Sequence, residues 1–190
     1  MKKIISFTPF LILIIIMSIG FFAVSRAGKQ QPIDAQLSTN NSAPLPRFYF
    51  DNLIEGGEKL SIDDFFGDEI GDEINDDNKE INKIALINIF ASWCSTCKAE
   101  HHYLLELAQN KSINIYGIAW HDINQNTKDY LTKNGNPYVK VGVDKRGASA
   151  NLFGIKAVPE TFVISKGKII YHYSGNIDQA FLDYIDSITK

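Results

Sequence analysis

This chain of 190 residues is poor in cysteine, with only two, and both fall within one pentapeptide, Trp93-Cys94-Ser95-Thr96-Cys97. A framework of several disulfides is therefore excluded. The sequence also has no second Cys-x-x-Cys and no His-x-His cluster. A structural zinc site usually takes four ligands, and this motif supplies two. His101 and His102 follow it, but neighbouring residues of a helix point about 100° apart, so at most one can face the thiols. Basic excess is lacking as well: the net charge is −3. Nothing suggests binding to a nucleic-acid backbone. No repeat long enough for a solenoid occurs.

What is present is a dithiol in a particular setting. Residues 84–90, Ile-Ala-Leu-Ile-Asn-Ile-Phe, are short and almost wholly apolar, the pattern of a strand buried on both faces. After the motif, Tyr103, Leu104, Leu107 and Ala108 are spaced for one face of a helix. Cys94 is thus expected at a helix N-terminus, where unpaired N–H groups and the macrodipole favour the thiolate, the nucleophile of thiol–disulfide exchange. Cys97 lies one turn on, on the same face, and can close a disulfide ring. A purely structural bridge is the competing reading, but closing so short a loop removes little unfolded-state entropy. A two-thiol metal site is the other. The redox reading is adopted.

The ends divide the chain. Lys2 and Lys3 precede residues 4–24, which carry no charge and are long enough to cross a bilayer as a helix. Residues 1–26 are read as an uncleaved membrane anchor with a cytoplasmic start, a cleaved signal peptide being the alternative. Either way the remainder is expected outside the cytoplasm, in an oxidising compartment where a dithiol needs a source of electrons. Residues 27–46 are polar, with Pro32, Pro44 and Pro46, and read as a flexible tether. Residues 47–190 form one domain. Within it, residues 63–80 hold nine acidic residues and one lysine, expected as a solvated loop.

Downstream, the patterns predict a strand over 113–120, a helix over 126–133 ended by Asn134-Gly135-Asn136-Pro137, a strand over 139–143 and a short helix over 148–153. A hairpin follows, with strands over 161–164 and 168–173 joined through Ser165-Lys166-Gly167, and then an amphipathic helix over 177–188. This alternation gives an α/β sandwich on a mixed central sheet.

The order of elements, with Trp-Cys-x-x-Cys after the central strand and Val158-Pro159-Glu160-Thr161-Phe162 before a late strand, resembles the thioredoxin superfamily. The stretches 91–101, 116–122 and 157–162, together with the N-terminal apolar block, are similar to the thiol:disulfide interchange proteins of cytochrome c maturation, the DsbE/CcmG family. The resemblance implies a thioredoxin-like three-layer sandwich with no cofactor or resident metal, anchored in the inner membrane and facing the periplasm. It also implies a weak reductant that takes electrons from a membrane thiol carrier. These would pass to an apocytochrome Cys-x-x-Cys-His site or to the haem-ligation partner presenting it. A broader reductase of the TlpA or ResA kind, and a copper-binding oxidase assembly factor, are the alternatives.

The resemblance also assigns residues. Cys94 attacks the partner disulfide and Cys97 resolves it. Pro159 is expected in cis beside the dithiol, offering the backbone of Val158 to a substrate strand. Glu100 and Glu160 are the acidic residues that the family places around the thiols, where a carboxylate opposes thiolate formation. Asn88 stands where thioredoxins carry a buried aspartate for proton transfer. An amide cannot take up that proton, so Glu100 is the expected substitute base. Trp93 is read as a partly exposed lid and His172 as structural. Trp120, His121 and Ala157 depart from the family pattern.

Overall fold

The computed structural model describes residues 15, 17, 42–65 and 84–189. Among these, the strands are β1 (Ala43–Pro44), β2 (Tyr49–Asn52), β3 (Leu60–Ser61), β4 (Ile84–Phe90), β5 (Ile113–Trp120), β6 (Lys140–Asp144), β7 (Glu160–Ser165) and β8 (Lys168–Ser174). They form one mixed sheet in the order β1-β8-β7-β4-β5-β6-β2-β3. The helices are α1 (Ser95–Leu107), α2 (Asn124–Asn134), α3 (Ala148–Phe153) and α4 (Gln179–Thr189), with a 3₁₀ turn at Ile62–Phe65.

Strand β4 is buried along its whole length, as its apolar run requires. It pairs in parallel with β5 and antiparallel with β7, so the segment that feeds the dithiol lies at the centre of the sheet. Side chains alternate between the two faces of a strand. Leu86 and Phe90 accordingly join Leu104 and Leu107 of α1, Leu131 of α2 and Phe181 and Ile185 of α4 on one face. Ile87 and Ile89 point the other way, toward Phe48, Phe65, Phe153 and Phe162. The same alternation puts Asn88, the one polar residue of β4, on the α1 face between Leu86 and Phe90.

The hairpin forms as expected, with Ser165 opposite Lys168. Lys166 and Gly167 both take positive φ, 50° and 67°, the two-residue turn whose twist suits antiparallel strands. Gly117 of β5 is needed for a different reason. A Cβ there would lie 2.9 Å from Phe90 Cε1 and 3.0 Å from Tyr138 Cγ. Gly117→Ala is expected to cost about 1–3 kcal/mol by overpacking. Urea unfolding checks this, and an unchanged midpoint contradicts it.

Some expectations need correction. Residues 43–45, at the end of the expected tether, belong to the domain: Ala43 and Pro44 pair with Ile169 and Lys168, and Leu45 is buried. Strand pairing by so short a segment leaves no period in the sequence. Strands β2 and β3 and the 3₁₀ turn are additions, and that turn takes up Asp63 and Asp64 from the acidic segment. Asp64 Oδ2 accepts from the Ser61 amide at 2.9 Å. Apart from Ile15 and Met17, the expected anchor lies outside the described residues, as do residues 66–80 of the acidic run. Among the described residues no helix is long and apolar enough to cross a membrane.

Candidate active site

Cys94 is the N-cap of α1, and its Sγ accepts from the Cys97 amide at 3.1 Å. Residues 94–97 thus form the first turn, which brings the two cysteines together, and they are disulfide-bonded with a Cα–Cα distance of 5.3 Å. Cys97 is 2% exposed and Cys94 6%, so the pair sits at the edge of the core with Cys94 outermost. The Val158–Pro159 bond is cis, as expected, and Cys94 Sγ lies 3.6 Å from Val158 O. Trp93 is 56% exposed beside them, and its indole N–H donates to His121 O at 3.1 Å. The ring is thus exposed and held at its indole nitrogen.

The loop leading into the motif is held by Asp122, a residue that carried no role in the sequence reading. Its carboxylate accepts from the Ser92 amide at 2.6 Å, the Ser92 hydroxyl at 2.9 Å and the Ile123 amide at 2.8 Å. One buried side chain therefore ties the approach to Cys94 to the end of β5. An acid in the short turn between a strand and a helix was the available signal.

The two glutamates share burial and differ in environment. Glu100 is fully buried on the inner face of α1. Its Oε1 accepts from Asn88 Nδ2 at 2.9 Å and its Oε2 from the Ile177 amide at 2.8 Å. Burial raises its pKa to about 7, against the downward pull of these two donors. Asn88 is fully buried too, donating also to Thr161 Oγ1 at 3.0 Å and accepting from the Tyr138 hydroxyl at 2.8 Å. A solvated surface carboxylate is thereby excluded at position 100. Glu100 is three residues past Cys97, on the same face of α1.

Glu160 turns its oxygens elsewhere. Oε2 accepts from His172 Nε2 at 2.6 Å, and Oε1 from the amides of Lys156 and Ala157 at 2.9 and 3.3 Å. Burial works to raise its pKa, but these donors outweigh it and hold the carboxyl below its usual range. Glu160 braces the loop in front of the cis-proline, and His172, stacked on Phe162, is its partner. His101 is buried against Tyr130 and donates to Gly135 O at 3.0 Å, while His102 lies exposed against Tyr103. Among the described residues no group of three or more His, Cys, Asp or Glu is placed to hold a metal ion.

A Cys-x-x-Cys at the first turn of the helix after the central strand, facing a cis-proline loop on the neighbouring antiparallel strand, defines a thioredoxin-like dithiol–disulfide protein. The redoxin family model matches residues 72–184, and the chain belongs to that family. Its relatives are thiol:disulfide interchange proteins. CycY of Rhizobium leguminosarum bv. viciae is 38% identical over 94 residues, 49% of this chain and 50% of the relative. DsbE of Pasteurella multocida (strain Pm70) is 40% identical over 102 residues, 53% and 56% of the two chains. HelX of Rhodobacter capsulatus is 36% identical over 109 residues, 57% and 58%. The chain thus spans about half the length of these relatives. Solved structures agree on the fold. A DsbF homologue from Corynebacterium diphtheriae superposes with a TM-score of 0.60 at 22% identity, covering 77% of this chain and 87% of that one. A thioredoxin-family thiol:disulfide interchange protein from Chlorobium tepidum TLS gives 0.58 at 22% identity, covering 78% and 97%.

Proposed function

We propose that this protein is a membrane-anchored disulfide reductase working on the periplasmic side of the inner membrane. Its substrate is the oxidised Cys-x-x-Cys-His site of an apocytochrome c, or the haem-ligation partner that presents it. Its electrons come from a membrane thiol carrier. The observation that carries the chemistry is the Cys94–Cys97 disulfide at the first turn of α1, with Cys94 Sγ beside Val158 O. The names of the relatives support thiol–disulfide interchange, and the uncharged block at residues 4–24 supports the anchor.

In the reduced protein the Cys94 thiolate attacks one sulfur of the partner disulfide. That S–S bond breaks, a mixed disulfide forms, and the partner's other sulfur leaves as a thiolate. Cys97 then gives its proton to the Glu100 carboxylate and attacks Cys94 Sγ. The mixed disulfide breaks, the partner's second sulfur leaves as a thiolate, and the Cys94–Cys97 disulfide closes. The partner's two thiolates take up protons from Glu100 and from water. Two electrons move from protein to partner. The Val158 backbone, whose carbonyl lies beside Cys94 Sγ, is the edge to which the partner strand adds, and the exposed Trp93 ring next to Cys94 is where the partner first makes contact.

Cells carrying Cys97→Ala test this reading, because the mixed disulfide can no longer be resolved and accumulates. Apocytochrome c or a haem-ligation subunit linked to Cys94 is the expected adduct. Recovery of oxidase copper-site subunits instead would overturn the maturation role in favour of a broader reductase.

A further inference from the structure

The polar cluster beneath α1 contains one group that the proposed chemistry leaves unused, the Tyr138 hydroxyl. Tyr138 follows Asn136-Pro137 after α2 and is buried. Its ring stacks on Phe90 with centroids 4.8 Å apart and lies over Gly117, where even a methyl group would collide. Gly117 is the register partner of Asn88 in the β4–β5 ladder. Ring and glycine together therefore aim the hydroxyl at one target, and it donates to Asn88 Oδ1 at 2.8 Å.

An amide has an oxygen end that accepts and an NH₂ end that donates, and the two ends have nearly the same shape. Its effect on a neighbour depends on which end faces that neighbour. Here the oxygen end is taken by Tyr138, so both N–H groups face Glu100 Oε1 and Thr161 Oγ1. Glu100 Oε2 meets a second donor, the Ile177 amide. Two donors on two oxygens favour a carboxylate over a carboxylic acid, whose own O–H would meet an N–H head-on.

We propose that Tyr138 is a positioning residue. Its hydroxyl locks the Asn88 amide with the NH₂ end toward Glu100 and so holds the carboxylate ready to accept a proton. The functional consequence rests on Glu100 acting as the base for Cys97; the orientation itself does not. Without the hydroxyl, the amide turns and offers its oxygen to Glu100, and that favours the protonated acid.

The other titratable groups around this carboxylate do not confuse the reading. Tyr130 of α2, Tyr138 and Tyr173 of β8 are all raised by burial and, in part, by the Glu100 charge, Tyr130 to about 12. They remain neutral phenols near pH 7. Asp178 follows Ile177 and is engaged at the start of α4, accepting from the Phe181 amide at 3.1 Å. Cys97, on α1 itself, is in the disulfide and does not titrate in the oxidised protein.

The experiment is a ¹³C-carboxyl titration of Glu100 in the oxidised protein, with the resonance assigned by its loss in Glu100→Gln. Tyr138→Phe keeps the ring packing and is expected to move the Glu100 midpoint up by about one to two pH units, the loss of one charge-assisted hydrogen bond. Thr161→Val removes a different bond of the same amide and is expected to leave the midpoint within about 0.3 unit, since Tyr138 still fixes the orientation. An unchanged midpoint in Tyr138→Phe, or an equal shift in both variants, would overturn the proposal. The unsubstituted protein gives an independent reading that needs no variant to fold. The Asn88 NH₂ proton resonances are expected to move with pH at the Glu100 midpoint, and resonances indifferent to that midpoint would overturn it too. Because the titration is made without substrate, failure of the base reading leaves its result intact.

Discussion

Cys94→Ala is expected to abolish disulfide reduction, by a factor on the order of 10³ or more, whereas Cys97→Ala still completes one covalent step and stops. The two thiols differ in place rather than in chemistry. Cys94 caps α1, its sulfur receives the Cys97 N–H, and it is the outer of the pair beside the Val158 carbonyl. A thiolate there gains from the helix N-terminus and lies where a partner strand would run. Cys97 lies deeper, in the first turn, with Leu104 and Glu100 beyond it on the same helix face. Mass spectrometry of acid-quenched reactions with an oxidised peptide distinguishes the two. Cys97→Ala should carry the peptide on Cys94, and Cys94→Ala should carry none. Comparable adducts on both variants would remove the assigned order of attack.

Glu100→Gln is expected to slow resolution of the mixed disulfide by about 10²-fold at pH 7, the usual share of a positioned general base. In the parent protein the resolving rate should rise through pH 7 as the carboxylic acid loses its proton, and in the variant that step should vanish. The same residue sets a stability profile. Its folded pKa of about 7 lies above the unfolded value of 4.5, so the folded state binds more protons between the two. Stability is therefore greatest below pH 4.5, as far as this group is concerned, and about 3 kcal/mol of it is lost as pH rises to 7. Glu100→Gln should flatten that slope. It also turns an amide N–H toward one of two fixed donors, Asn88 Nδ2 or the Ile177 amide, a pH-independent cost of about 1–3 kcal/mol. Denaturant unfolding at pH 5 and pH 8 separates the two effects. A variant that keeps the parental slope would show that another group produces it.

The sheet centre and the dithiol were legible in the sequence because their patterns are strong. Residues 84–90 are an apolar run of strand length, Ile185 and its neighbours mark a helix face, and both cysteines occur in one motif. The bounds of α3 and the hairpin turn followed from Gly154 and Gly167, each with positive φ. The N-terminal strands were not legible, because a two-residue strand such as Ala43–Pro44 is fixed by its partners Ile169 and Lys168, far along the chain, rather than by local pattern. The support of the site was hidden for the same reason. Asn88 could be flagged as a polar residue in a buried strand. Its neighbours Glu100, Tyr138 and Thr161 come from α1, the loop after α2 and β7, and only the fold brings them to one point. Glu160 was expected to face the thiols, and its carboxylate is instead occupied by His172 and two amides.

The most direct measurement mixes the fully reduced protein with an oxidised Cys-x-x-Cys-His peptide and counts thiols on both by alkylation and mass. The account predicts that the peptide gains two thiols for each Cys94–Cys97 disulfide formed, and that Cys94→Ala transfers none. A peptide that stays oxidised while the protein keeps both thiols would contradict it.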